Sequence, residues 1–406
     1  MIASSVTALV ILLAVAIVTA FLTRRLPIPY VVTLAIVGVA AGAFVRGGPI
    51  HLSHELILLI LLPGLLFEGA FNIRWSHLRD NLAAVVALAT LGVFLTTGLA
   101  GLVVHYALGI SLAAAIVFGA VVAPTDPVAV IAVFRQLRVP SRLTNLIEAE
   151  SLLNDGTGVV VFGIALALLS GAGTFSAGDA ALQFVRLSVG GFGLGLLAGL
   201  GLSLVTRRID DPQVEISLTV LAAYGSYLLA EGLGLSGILA VVGAGLMIGN
   251  YGRPRGMSER TQAAATSFWD AISFLLTSVI FLLIGIDLPL TSVLGRAGLV
   301  LAAFAIVMLA RAVAVHGLLL LLRPFGRAVN ARWQLLISWS GLRGAVAIAL
   351  LLSLEDGTPE VAVIKPIAYG VVLLSIVVQG ATVVPVARRL LSHAWQGPGG
   401  SVSAHG

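Results

Sequence analysis

The chain has no cysteine, which excludes disulfides, iron–sulfur clusters and thiolate metal sites. Charge is scarce: 10% of its 406 residues are Asp, Glu, Lys or Arg, against about 25% in an ordinary soluble domain. Seven histidines form no His-Glu-x-x-His or comparable pairing. His51 and His54 are close, but they fall where a loop is expected and are not read as metal ligands. What remains is apolar, with 59% hydrophobic residues and a mean hydropathy of +1.09. The class that fits is an all-α polytopic membrane protein. The net charge of +5 does not indicate a nucleic-acid partner, because the basic residues follow loop position rather than forming a patch.

About 20 apolar residues cross the hydrocarbon core as a helix. By that measure thirteen spans are expected, at 5–22, 28–45, 54–71, 82–106, 111–134, 146–170, 182–206, 214–231, 235–250, 268–287, 296–322, 333–353 and 364–388. The first lacks a preceding basic region and is long enough to span before Arg24-Arg25, so it reads as a membrane helix rather than a signal peptide. Residues 392–406, rich in Gly and Ser, are expected to be a disordered tail followed by no soluble regulatory domain. With the N-terminus outside and the C-terminus cytoplasmic, 17 of the 23 basic residues lie in cytoplasmic loops. Arg46, Arg186, Arg296 and Lys365 lie outside, and only Arg311 and Arg343 stay within the membrane. Loop arginines recurring at every second connection support an odd number of spans.

Two spans carry breaks. The fifth contains Pro124-Thr125-Asp126-Pro127, where proline removes an amide donor and clashes with the preceding turn. The twelfth contains Gly341-Leu342-Arg343-Gly344, where glycines loosen the helix. If the seventh span is a connector, spans one to six and eight to thirteen form two inverted six-helix repeats. The interrupted helices then occupy matching positions, which points to a transporter site near the midplane.

Asp155 lies mid-span, with Asn154 beside it and Glu150 and Ser151 one turn upstream. A carboxylate there costs on the order of 2.5–3.5 kcal/mol on insertion scales and is read as functional by default. Residues i and i+4 share a helix face, so Ser151 and Asp155 point the same way. Thr125, in the unwound stretch, can add a carbonyl and a hydroxyl. Burial favours the protonated acid and a bound cation favours the charged one, so sodium and a proton exclude each other at one carboxylate. Reorientation of the occupied site then gives Na+ (or Li+) for H+ antiport by alternating access. Asn154 adds no second charge, so exchange is expected to be electroneutral. Asp126 is read as stabilising helix N-termini, with water-mediated help to the ion as the alternative. Arg343 balances the opposing helix C-termini. Arg311 needs a partner, and Glu150 is the nearest unassigned buried acid, giving a structural ion pair. Glu68, after a kink expected at Pro63-Gly64, either reaches the cation site from the opposite wall or faces water at the inner end. Asp270, Asp287 and Glu231 are placed near span ends, and His316 is read as a packed histidine.

These stretches make the chain resemble the monovalent cation/proton antiporters of the NhaP and sodium/hydrogen-exchanger branch. The motifs are Phe67-Glu68-Gly69, Ala123-Pro124-Thr125-Asp126-Pro127, Glu150-Ser151-Leu152-Leu153-Asn154-Asp155-Gly156-Thr157, Leu235-Ser236-Gly237-Ile238-Leu239-Ala240, Ala310-Arg311 and Gly341-Leu342-Arg343-Gly344-Ala345-Val346. The resemblance implies thirteen helices, inverted repeats and a homodimer in a bacterial or archaeal cell membrane, serving pH and sodium homeostasis. It implies a core part at about 82–170 and 296–390 moving against a dimerisation part at about 1–72 and 182–290. It implies Na+ ligation by Asp155, Glu68, Ser151 and the Thr125 carbonyl, support from Asn154 and Asp126, and a Glu150–Arg311 pair. The expected partners are membrane lipid, monovalent cations and protons, with no cofactor and no enzymatic activity. A K+/H+ antiporter and a cation channel share these features. An intramembrane serine protease would instead use Gly234-Leu235-Ser236-Gly237 with His316 as base, but that tetrapeptide is placed in a tight turn.

Overall fold

The computed structural model describes residues 2–23, 28–42, 53–171, 176–325, 329–355 and 357–391. Of the sequence expectations, Arg24-Arg25, Arg46, His51, Arg327 and the 392–406 tail lie outside these residues. Every element among the described residues is helical, apart from one isolated antiparallel bridge between Asp126 and Leu342. In lipid each backbone donor and acceptor must be met by the protein itself, and a helix meets them within one segment.

In chain order the helices are α1 (Ile2–Thr23), α2 (Tyr30–Gly42), α3 (Leu56–Asn72), the short α4 (Trp75–Asp80), α5 (Leu82–Leu108), α6 (Leu112–Val122), α7 (Val128–Gln136) and α8 (Ser141–Leu169). They continue as α9 (Ala177–Thr206), α10 (Pro212–Gly232), α11 (Gly237–Met247), α12 (Glu259–Ile286), the short α13 (Leu290–Leu294), α14 (Ala297–Leu321), α15 (Ala331–Trp339), α16 (Ala345–Leu352) and α17 (Pro359–Leu391). Six of the described helices are continuous, long and apolar enough to cross a membrane: α5, α8, α9, α12, α14 and α17. The fifth expected span is two half-helices, α6 and α7, and the twelfth is α15 and α16. Their breaks cross, and the Asp126 amide donates to the Leu342 carbonyl at 2.7 Å.

Some boundaries move. α12 begins at Glu259 rather than 268, because Ser258 caps it by accepting from the Thr261 amide. Asp270 is therefore three turns into a helix, not at a span end. Pro63 is preceded by a π-helical turn at Leu56–Leu61. The wider turn accommodates a proline that cannot donate to the ladder. Further π turns at Leu88–Gly92, Ile248–Gly252 and Ser375–Gln379 had no sequence signal.

One set of closely packed helices joins α9 to α11, α2 to α12, α3 to α11 and α10 to α11. A second set joins α5, α6, α8, α14 and α17, and α8 touches α3, α9 and α11. With no hydrophobic drive between helices in lipid, small residues must let the backbones approach. Gly191, Gly195 and Gly199 form one buried stripe on α9. A Cβ at Gly195 would collide with the Ala240 carbonyl of α11, whereas one at Gly193 would meet nothing within 4 Å. Gly195→Val is therefore expected to destabilise the protein by about 1–3 kcal/mol, read as a lower melting temperature in detergent. Gly193→Ala should leave the melting temperature unchanged.

Candidate functional site

Between the two helix sets lies a cavity of about 440 Å³ lined by five carboxylates, Glu68, Asp126, Glu148, Asp155 and Asp270, with one basic side chain, Arg135. Asp155 comes from α8, Glu68 from α3, Asp270 from α12, and Asp126 from the break between α6 and α7. Asp155 keeps 8% of its surface exposed, toward this cavity, while its neighbour Asn154 is fully buried.

The break is held to α8 by a closed set of hydrogen bonds. The Thr125 amide, orphaned by unwinding, donates to Asn154 Oδ1 at 3.1 Å. Ser151 Oγ donates to the Thr125 carbonyl at 2.5 Å, and Thr125 Oγ1 lies 2.9 Å from Ser151 Oγ. With the Ser151 proton used on the carbonyl, the Thr125 hydroxyl is the donor in that second bond. Thr125 Oγ1 in turn accepts from Asn154 Nδ2 at 2.8 Å. Asp155 lines the cavity one turn along α8 from Ser151, whereas Ser151 and Thr125 are buried behind its wall; the Ser151 hydroxyl, the Thr125 carbonyl and the Asp155 carboxylate are oxygens that a hard monovalent cation could take. A cation drawing on both Ser151 and the carbonyl would compete with the bond between them.

Asn154 Nδ2 also donates to Glu150 Oε1 at 2.8 Å. Glu150 is gripped by Arg311 of α14 through two parallel bonds, Nη1 to Oε1 at 2.8 Å and Nη2 to Oε2 at 2.9 Å. Both side chains are buried. The fork–fork geometry is the strong form of a carboxylate–guanidinium contact. Arg311, Glu150, Asn154, Thr125 and Ser151 form one chain of bonds from α14 to the break.

Three of the four half-helix ends meet a side chain of complementary charge. Arg343 donates from Nε to the Val122 carbonyl at the end of α6 at 3.0 Å, and from Nη1 to the Gly341 carbonyl beyond α15 at 2.5 Å. Its amide donates to Ser375 Oγ at 2.8 Å. Asp126 Oδ1 accepts from the Val128 amide at the start of α7 at 2.9 Å. A cation at helix C-termini and an anion at an N-terminus each complement the backbone dipoles.

Glu68 lines the same cavity as Asp155 and accepts from Asn72 Nδ2 at 2.7 Å. Asp270 faces this cavity too. Glu148 is on its wall, 3.7 Å from Arg135 Nη2. Sequence reasoning passed over Glu148, although it sits seven residues before Asp155, two turns along the same face. Glu231 Oε1 accepts from the Gly237 amide at 2.9 Å. Gly234 has φ 65°, and Ser236 Oγ caps α11 by accepting from the Leu239 amide at 3.3 Å. The 234–237 stretch is thus a tight turn. His316 Nδ1 bonds the Ala312 carbonyl of its own helix at 2.9 Å.

Removing Arg311 would leave Glu150 charged and buried. Arg311→Ala is expected to cost roughly 3–5 kcal/mol, seen as loss of monodisperse protein in size-exclusion chromatography. Adding Glu150→Ala should recover part of that yield; no recovery would mean that the two side chains are not coupled.

Residues 10–389 match the family model described as sodium/hydrogen exchanger, transmembrane. The chain is 42% identical over 368 residues to the Na+/H+ antiporter ApNhaP of Aphanothece halophytica, covering 89% of this chain and 70% of that protein. It is 32% identical over 397 residues to the Na+/H+ antiporter NhaH of Halobacillus aidingensis, covering 94% and 97%. The fold is similar to that of the sodium proton antiporter MjNhaP1 from Methanocaldococcus jannaschii, with a TM-score of 0.79, 25% identity and coverage of 96% and 99%. With these matches spanning nearly its whole length, and with the acidic cavity at crossed helix breaks, the chain belongs to the sodium/hydrogen exchanger family of integral membrane transporters.

Proposed function

We propose that the protein exchanges Na+ (or Li+) for H+ across the membrane at Asp155. The observation that carries this reading is a carboxylate facing a cavity, one helical turn from a Ser151 hydroxyl that bonds the Thr125 carbonyl of the break, in a chain whose relatives are named Na+/H+ antiporters. A neutral, protonated Asp155 and a Na+-bound Asp155 carry the same net charge. Only these two states cross between the membrane faces, so each sodium moved one way returns a proton the other way. Glu68, across the cavity, adds a further oxygen ligand. Asp126 and Asn154 hold the break in shape, Glu150 with Arg311 ties it to α14, and Arg343 offsets the carbonyl ends at the crossover.

The wider architecture in this reading has thirteen crossings, with α6–α7 and α15–α16 each counted once and α4 and α13 lying outside the count. Two inverted six-helix repeats flank α9, with the N-terminus outside and the C-terminus cytoplasmic. A core part at about 82–170 and 296–390 moves against a dimerisation part at about 1–72 and 182–290 in a homodimer. The grouping of helix contacts into two sets supports this division.

Reconstituted into liposomes with an internal pH dye, the wild type is expected to alkalinise or acidify the lumen when sodium is added on one side. Asp155→Asn, which cannot exchange a proton, should reduce that signal to the protein-free background. Persistence of the signal would remove Asp155 from the mechanism. A second measurement addresses stoichiometry. Clamping the vesicle potential at different values with potassium and valinomycin should leave the sodium-driven rate unchanged, whereas a voltage-dependent rate would reject electroneutral exchange.

A further inference from the structure

We propose that the protein carries a second site, for a phosphate-class oxyanion, directly beside the cation cavity. A separate cavity of about 300 Å³ is lined by Arg74, His77, Arg135, Arg138, Asn145 and Glu148, among others. Three guanidiniums there face a single carboxylate. Among the described residues, the Arg74 and Arg138 side chains have no acidic partner. Asn145 Nδ2 lies 2.7 Å from His77 Nδ1. An amide nitrogen only donates, so Nδ1 accepts and the ring proton sits on Nε2, giving a further donor. Planar guanidiniums grouped in this way match the oxygens of a phosphate, which they bind through charge-assisted hydrogen bonds.

The backbone at this cavity carries an independent mark. Arg138 has φ 52°, the one positive φ among the described non-glycine residues. The Arg138 amide donates to the Arg135 carbonyl at 3.3 Å and the Val139 amide to the Phe134 carbonyl at 3.0 Å. This pair of bonds closes the end of α7 in the pattern that ordinarily places glycine at the left-handed position. An arginine there keeps a backbone cost that glycine would relieve, and its side chain lines the basic cavity.

The two cavities share a wall. Arg135 and Glu148 line both, and their 3.7 Å ion pair lies in that wall. Asn72 lines the basic cavity and donates to Glu68, which lines the acidic one. An oxyanion that engages Arg135 would loosen its hold on Glu148 and leave more negative charge in the cation cavity. That coupling rests on the proposed exchange; the binding itself does not. The phosphate can come from an anionic lipid headgroup or from a free phosphate, since the site lies among arginines assigned to the cytoplasmic face.

The test uses the purified full chain. One arm titrates inorganic pyrophosphate by calorimetry in neutral detergent, at ionic strength held constant with chloride. The other compares retention of phosphatidylglycerol and phosphatidylcholine by native mass spectrometry. Wild type should show saturable binding in at least one arm. Arg74→Gln with Arg138→Gln should weaken it by about tenfold or more, as expected for lost charge-assisted bonds, while Arg138→Lys should lie between. Binding confined to pyrophosphate identifies a free phosphate, and retention confined to phosphatidylglycerol identifies a lipid headgroup. If the double variant does not fold, Arg74→Gln alone, at an exposed side chain, gives the same reading. Asp155→Asn should bind the anion as wild type does, so failure of the exchange reading is distinguishable from failure of this one. No saturable binding in either arm, or equal binding by wild type and the arginine variants, overturns the proposal.

Discussion

A helix that unwinds inside hydrocarbon loses backbone partners that water cannot replace there, and the organisation of this protein follows from how that loss is made good. Thr125 is the point of greatest exposure to the problem. Its amide is taken by Asn154, its carbonyl by Ser151, and its hydroxyl links the two. The adjoining Asp126 amide is taken by the Leu342 carbonyl of the other break. The same unwinding frees a Thr125 carbonyl that Ser151, one turn from Asp155 on α8, takes up. With the proposed ligands, the ion site and the repair of the break share atoms, and a change in one is felt in the other.

Charge placement extends this logic outward. Breaking two helices creates four new ends, and each end carries partial charge from unpaired backbone groups. Arg343 answers two carbonyl ends and Asp126 an amide end. Neither charge is free to meet a transported ion without giving up a helix terminus. Glu150 is likewise committed to Arg311 and Asn154. Of the acids close to the break, Asp126 and Asp155 both line the cavity, and only Asp126 is tied to a helix terminus. A single uncommitted acid is what a one-for-one exchange requires.

How much of this could be read from sequence varies with the length scale of each feature. The prolines around Asp126 and the acids at 150 and 155 are local signals in an apolar background, so both the break and the acidic patch were legible. The Glu150–Arg311 contact was reachable because buried charges must pair and few were available. Arg343 was expected at the opposing helix C-termini, but the Val122 carbonyl could not be named as its partner, since it lies 221 positions away and depends on how the breaks cross. Glu148 was passed over, and Asp270 was placed near a span end, for a different reason. Polar residues open both helices, so hydropathy starts the expected spans late, α8 by five residues and α12 by nine, and both acids fall at the edge of a span although the helix begins well before them. Apart from the one before Pro63, the π turns left no trace in the sequence.

The central claim is that a metal ion and a proton compete for one carboxylate. The most direct measurement is proton release on sodium binding, followed in weakly buffered detergent solution with a pH electrode. Sodium added to the purified protein should displace about one proton per ion bound while the carboxyl is protonated, with no release when choline replaces sodium. Sodium binding that releases no protons would contradict the account.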